Sequence, residues 1–216
     1  MTGMVLYGYF RSSAAWRVRI AMNLKGLKPE LAFRHLQRNE HRAEDYLALN
    51  PEGLVPAVKL EDGPVLTQSL AIMEYLDEAF PDPPLLPSRA LARARVRSLA
   101  LAVACDIHPL NNLRVLRRLK SQFGAEQPAV DEWYHHWIRQ GFDRIEARLA
   151  REAETGTFCH GEAPGLADIC LVPQVGNAVR FKVDLAPYPT IRRIAEACDA
   201  LPEFAAARPD RQPDAE

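Results

Sequence analysis

The chain has 216 residues, 48% of them hydrophobic, enough for one large domain or two small ones with a sizeable core. Its 27 basic and 28 acidic residues give a net charge of −1, so the overall balance points to neither nucleic acid nor an anionic membrane as partner. Any anionic ligand must then be held by a local cluster of cations. The start, "MTGMVLYGYF", lacks a basic segment followed by an apolar core, and no apolar run is long enough to span a bilayer, so a soluble cytoplasmic protein is expected. Cys105, Cys159, Cys170 and Cys198 are widely spaced with no CxxC pair, which argues against a zinc site, a dithiol centre or a disulfide framework. His135 and His136 are adjacent and would diverge on a helix, a poor geometry for shared metal ligation, so no metal is expected.

In chain order, "MVLYGY" (4–9) suits a strand and "SAAWRVRIAMNLKG" a helix closed by Gly26. "ELAFRHL" (30–36) alternates as a half-buried strand does. "PAVKLEDGPVLTQS" reads as two strands joined at Glu61-Asp62-Gly63, after which Ser69 is expected to cap a helix through "LAIMEYLDEAF". The order is βαβ, then ββα. "PDPPLLPS" (81–88) carries four prolines and reads as a stiff interdomain linker. Ser88 is expected to cap a long helix that Pro109 would kink or interrupt, with further helices near 128–152, 166–180 and 189–199. The closing "ARPDRQPDAE" reads as mobile, and no repeat stands out. The domains expected are 1–82 and 88–216, with 83–87 between them.

Ser12 and Ser13 stand where the first strand gives way to the first helix. Serine is a preferred N-cap because its oxygen accepts a bond from a first-turn amide that otherwise lacks a partner. The same place, with free amides and the positive end of the helix dipole, also suits an anion or a thiolate. No cysteine is present there, so such a thiolate must come from a bound ligand. In "LVPAV" (54–58), a cis bond before Pro56 would leave the amide and carbonyl of Val55 turned towards a peptide-like ligand. Gln68, just before Ser69, is either an ordinary turn residue or a ligand contact at a second helix N-terminus.

"RSSxxWRVRIA", "NPxxxVPxV", "QSxAIxEYL", the proline-rich linker and "DIHPLNN" together resemble a zeta-class glutathione transferase, the family of the maleylacetoacetate and maleylpyruvate isomerases. The resemblance runs up to "NAVRFKVDLAPYPTI" (177–191). "VPxV" and "QS" occur in many glutathione transferases; "SSxxWRVRIA" and "IHPLNN" are narrower. The resemblance implies an α/β, thioredoxin-like N-terminal domain that binds glutathione and an all-α domain that completes the substrate pocket. It places Ser12 at the glutathione sulfur and Ser13, Ala14, Ala15, Trp16 and Arg17 in the rest of that binding segment. His41, Val55, Pro56, Gln68 and Ser69 fall on glutathione contacts of the first domain, and His108, Asn112, Leu113 and Arg114 on those of the second. It also implies a homodimer. Ala14 departs from the many relatives that have cysteine there, which removes a protein thiol as nucleophile. Gly165, where Ser or Thr is usual, leaves the capping box to Asp168 incomplete, so Asp168 is read as structural.

A dicarboxylate such as maleylacetoacetate needs local cations, and Arg11 and Arg180 are the candidates, since guanidinium meets carboxylate in a bidentate way. Their alternative is a surface or interdomain ion pair. The chemistry that fits is nucleophilic catalysis by a cofactor: a glutathione thiolate adds to the conjugated double bond, rotation follows, and elimination leaves the trans product. Three other functions stay open: maleylpyruvate as substrate, a glutathione conjugating or dehalogenating enzyme, and a binding protein of the same fold without turnover.

Overall fold

The computed structural model describes residues 3–61 and 63–216; Met1, Thr2 and Asp62, the middle of the expected hairpin turn, lie outside the described residues. The chain divides into two compact units, Met1–Leu85 with Asp199–Glu216, and Leu86–Cys198.

The first unit begins β1 (Val5–Gly8), α1 (Ser13–Leu24), β2 (Glu30–Phe33), a 3-10 turn at Glu40–Arg42, α2 (Glu44–Leu49), β3 (Ala57–Lys59), β4 (Val65–Thr67) and α3 (Ser69–Ala79). The strands form one sheet in the order β2-β1-β3-β4, with β1 parallel to β2 and the other pairs antiparallel. This is the expected thioredoxin-like βαβ–ββα arrangement. Helix α1 is buried almost all round: Ala15, Val18, Ile20 and Ala21 are fully inaccessible, and Ile72, Met73 and Leu76 of α3 likewise. Each such side chain contributes roughly 1.5–3 kcal/mol where it is as large as Ile or Leu. Strand β2 departs from the alternating reading, because it is an edge strand: Glu30 and Leu31 are both exposed, and only Ala32 and Phe33 are half-buried.

The second unit holds α4 (Ala90–Ala104), α5 (Leu113–Phe123), α6 (Gln127–Arg151), α7 (Leu166–Arg180) and α8 (Pro189–Asp199). Its core is built from Val96, Leu99 and Val103 of α4, Ile138, Phe142 and Ile145 of α6, and Ile169, Cys170 and Leu171 of α7. Arg89, without a side-chain bond, occupies the cap position of α4, so Ser88 is not its cap. Helix α4 ends at Ala104, leaving Pro109 in the following turn. That turn is seated by Gly141 of α6, where a β-carbon would stand 2.2 Å from Cδ1 of the buried Ile107. Asp168, fully buried, accepts from the amides of Cys159 at 2.8 Å and Gly165 at 2.9 Å, the structural role expected of it.

Two expectations about boundaries change. Within "PDPPLLPS", Asp77 accepts from the Leu85 amide at 2.7 Å, while Lys25 Nζ donates to Asp77 at 2.7 Å and to the Pro83 carbonyl at 2.5 Å. The first half of the proline-rich stretch is therefore fastened to the first unit. The tail is not free either. After α8 the chain returns to the first unit through α9 (Pro202–Ala207), whose Phe204 and Ala207 are buried. Asn23 Nδ2 donates to the Glu203 carbonyl at 2.8 Å and Arg19 Nε to the Ala207 carbonyl at 3.0 Å.

Candidate active site

Ser12 caps α1: its Oγ accepts from the Ala15 amide at 3.2 Å, and its carbonyl accepts from the Trp16 amide at 2.8 Å. Its own amide closes a turn onto the Tyr9 carbonyl at 2.9 Å. Capping uses a lone pair of the hydroxyl and leaves its proton for an outside acceptor. The Ala14 amide has no partner among the described residues, and no acidic side chain stands in the first turn of α1. Positive potential at this helix end is thus uncompensated. Ser13, Ala15, Trp16 and Arg17 are buried, so the accessible surface here belongs to Arg11, Ser12 and Ala14.

The Val55–Pro56 bond is cis, and among the described residues neither the amide nor the carbonyl of Val55 has a hydrogen-bond partner. The preceding residue is pinned: the Leu54 carbonyl accepts from Tyr46 Oη at 2.6 Å and from Asn50 Nδ2 at 2.9 Å. Tyr46 and Asn50 are buried, and Asn50 also receives the Glu52 amide at 3.1 Å. Sequence reasoning missed both anchors, although the Asn of "NPxxxVPxV" was a signal of one.

Gln68, not Ser69, occupies the cap position of α3, with φ 65° and ψ 114°. A non-glycine residue at such a φ costs of order 1–3 kcal/mol and persists where its surroundings over-determine it, commonly at functional sites. Here the surroundings are Glu52, whose carboxylate accepts from Gln68 Nε2 at 2.9 Å and Thr67 Oγ1 at 3.0 Å. Ser69 is instead the first helical residue, buried, and its Oγ accepts from Arg17 Nη1 at 3.4 Å. Arg17 thereby ties the start of α3 to α1 from inside the unit. His41 is buried in the 3-10 turn.

In the second unit, Asn112 caps α5 through a 3.1 Å bond from the Arg114 amide, with Leu113 as first helical residue and His108 half-buried in the turn before them. Arg180 ends α7, exposed, with its guanidinium 5.3 Å from the centroid of Phe181. Phe181 is itself held on α6 by stacking on Tyr134 at 3.7 Å and by a 2.6 Å contact of its carbonyl with His135 Nε2. Arg11 lies 4.8 Å over the ring of Phe10. Among the described residues, neither Arg11 nor Arg180 has an acidic partner, so neither makes the ion pair that was their alternative reading. No group of three or more His, Cys, Asp or Glu among the described residues is placed to hold a metal ion, and no described helix is long and apolar enough to cross a membrane.

Comparison with known proteins agrees with this geometry. Residues 11–79, which carry Ser12, Val55 and Gln68, match the family model of the glutathione S-transferase N-terminal domain. A probable maleylacetoacetate isomerase of Vibrio cholerae is 49% identical over the full length of both chains. Among solved structures, the holo form of a maleylpyruvate isomerase described as a bacterial zeta-class glutathione S-transferase superposes with a TM-score of 0.96 at 48% identity, covering 98% of this chain and 100% of the other. A maleylacetoacetate isomerase from Methylobacterium extorquens AM1, with bound malonate and glutathione, also gives 0.96, at 46% identity and 98% and 99% coverage. The chain therefore belongs to the zeta-class glutathione transferases, the family of the maleylacetoacetate and maleylpyruvate isomerases.

Proposed function

We propose that this protein is a glutathione-dependent cis–trans isomerase that converts maleylacetoacetate to fumarylacetoacetate, in the catabolism of aromatic amino acids. The observation that carries the reading is a pair of arginines, Arg11 and Arg180, each resting on a phenylalanine ring and neither neutralised by a described carboxylate. An arginine without a counter-charge is poised for an external anion, and guanidinium meets carboxylate in a bidentate way. The Methylobacterium relative has malonate, a small dicarboxylate, and glutathione bound, which supports this assignment.

The residues present fit glutathione. Val55 offers an unused amide and carbonyl side by side, the complement of one residue of extended peptide. Gln68 and Ser69 stand at the N-terminus of α3, where a carboxylate is favoured by the dipole. When bound, glutathione supplies a thiolate that adds reversibly to the conjugated double bond and so permits rotation about it. Ser12 donates its hydroxyl proton as a hydrogen bond towards that sulfur, and the Ala14 amide adds a second favourable dipole. Both lower the thiol's pKa, though nucleophilicity falls along with it, so the helpful shift is limited. Arg11 and Arg180 orient the substrate carboxylates and stabilise the negative charge that builds on the substrate oxygen.

Isomerisation regenerates the thiol, whereas conjugation or dehalogenation consumes it. Incubating the protein with glutathione and excess maleylacetoacetate and titrating free thiol separates the two: an unchanged thiol content with full cis-to-trans conversion is expected. Loss of one thiol per product would replace this reading with a transferase. We also propose a cytoplasmic homodimer, on the strength of the family resemblance; light scattering should give about twice the 24.2 kDa of one chain.

A further inference from the structure

The C-terminal segment does more than complete the first unit. The amide of Phe10 donates to Asp214 Oδ2 at 2.9 Å, and the carbonyl of the same residue accepts from Arg19 Nη2 at 3.1 Å. Phe10 is the residue before Arg11 and Ser12, and both of its backbone groups are thus held by charged side chains. Arg19 is buried and spends its Nε on the Ala207 carbonyl at 3.0 Å, so one guanidinium joins the active-site loop to α9. Burial pulls Arg19 down to about 10, opposed by the charge of Asp214, and it stays cationic at neutral pH. Beyond Asp214, the carboxylate of Glu216 meets Arg38, and His35 Nε2 lies 3.4 Å from it. His35 in turn packs edge-on at 4.7 Å against Tyr9, the residue before Phe10.

A hydrogen bond to a charged group contributes more than one between neutral groups. Two such bonds on one residue fix the plane of the peptides flanking it. The peptide that follows Phe10 leads into Arg11, and the turn closes one residue later by the bond from the Ser12 amide to the Tyr9 carbonyl. Displacement of Phe10 therefore moves the hydroxyl of Ser12 and the guanidinium of Arg11 together.

We propose that Asp214, with Arg19, is a positioning residue for Ser12 and Arg11, which makes the segment after α9 part of the machinery that activates the glutathione thiol. The proposal rests on the isomerase reading above.

The test compares wild type with Asp214→Ala, Asp214→Asn and Asp214→Glu. Asn keeps an acceptor for the Phe10 amide, Ala removes it, and Glu keeps the charge but pushes the loop by one methylene. Ionisation of bound glutathione is followed by the ultraviolet absorbance of its thiolate against pH, alongside kcat/KM and a urea unfolding curve. The Ala variant is expected to ionise the thiol at higher pH and to lose roughly tenfold in kcat/KM for glutathione, with Asn close to wild type. Should the Ala variant fail to fold, the Glu variant carries the same expectation of a raised thiol pKa. A wild-type thiol pKa in whichever of these two folds, or an Asn variant as impaired as Ala, overturns the proposal. A wild type that binds no glutathione overturns the isomerase reading and this inference with it; an active wild type with an indifferent Ala variant overturns this inference alone.

Discussion

The hydroxyl of Tyr46 and the carbonyl of Leu54 are joined by a 2.6 Å hydrogen bond, and that bond sets the edge on which Val55 presents its amide and carbonyl. Burial of the phenol raises its pKa above the ordinary tyrosine value, so it is a donor throughout the neutral range. Tyr46→Phe should cost about 1 kcal/mol in urea unfolding, since the Leu54 carbonyl still keeps Asn50. Asn50→Ala should cost more, because it also releases the Glu52 amide and with it the loop that carries the Gln68 anchor. Both variants should raise KM for glutathione more than they lower kcat.

Ser12 combines a cap with a donor, and substitutions can separate the two. Ser12→Ala loses both, about 1 kcal/mol of stability from the cap and a further ten- to hundredfold in kcat/KM from the lost bond to a charged sulfur. Ser12→Asp keeps a good cap but sets an anion against the thiolate. Stability should hold at the wild-type level while activity is lost. A Ser12→Asp enzyme that turned over normally would reduce Ser12 to a cap.

Arg180→Ala should raise KM for the dicarboxylate by roughly ten- to hundredfold and leave KM for glutathione nearly unchanged, as expected for the loss of a charge-assisted bond to substrate. Lysine should recover only part of this, since it lacks the planar fork. Arg11→Ala should show the same split, with a larger fall in kcat because Arg11 adjoins Ser12. Equal changes in both KM values would mark either arginine as structural.

How far the sequence foretold this site depended on how local each interaction is. The cap at Ser12 was readable because its partner, the Ala15 amide, lies within one helical turn. The cap of α3 was read one residue late: the positive φ that puts Gln68 in the cap position is set by Glu52, 16 residues away, and no rule of propensity carries that. The tail was misread for the same reason. Its prolines and charges resemble a mobile end, yet its partners Arg19 and Phe10 lie 188 and 204 residues upstream. Helix α5 lay outside the helices expected although Leu113, Leu116, Leu119 and Phe123 recur at helical spacing; none of its residues is buried, so that stripe is not part of the core.

The buried carboxyl of Asp168 gives a pH signature. Desolvation raises its pKa above the usual carboxylate value, opposed by the bonds from Cys159 and Gly165. The folded state therefore holds this proton more tightly than the unfolded chain. Its contribution to stability is greatest below the ordinary aspartate pKa, declines as pH climbs through the raised folded value, and is level above that. Urea unfolding of wild type and Asp168→Asn from acid to neutral pH should show this slope only in wild type. The variant should also be less stable throughout, because one amide oxygen cannot serve both backbone donors and one is left unsatisfied, at about 1–3 kcal/mol.

In this mechanism a borrowed thiolate does the isomerisation while the protein supplies position and charge. The decisive measurement follows cis-to-trans conversion spectrophotometrically for maleylacetoacetate and maleylpyruvate, each with and without glutathione. Rapid conversion of maleylacetoacetate that depends wholly on glutathione is expected, with maleylpyruvate measuring how far the site accepts the shorter substrate. Conversion at the same rate without glutathione, or none of either substrate in its presence, would overturn the borrowed-thiolate mechanism.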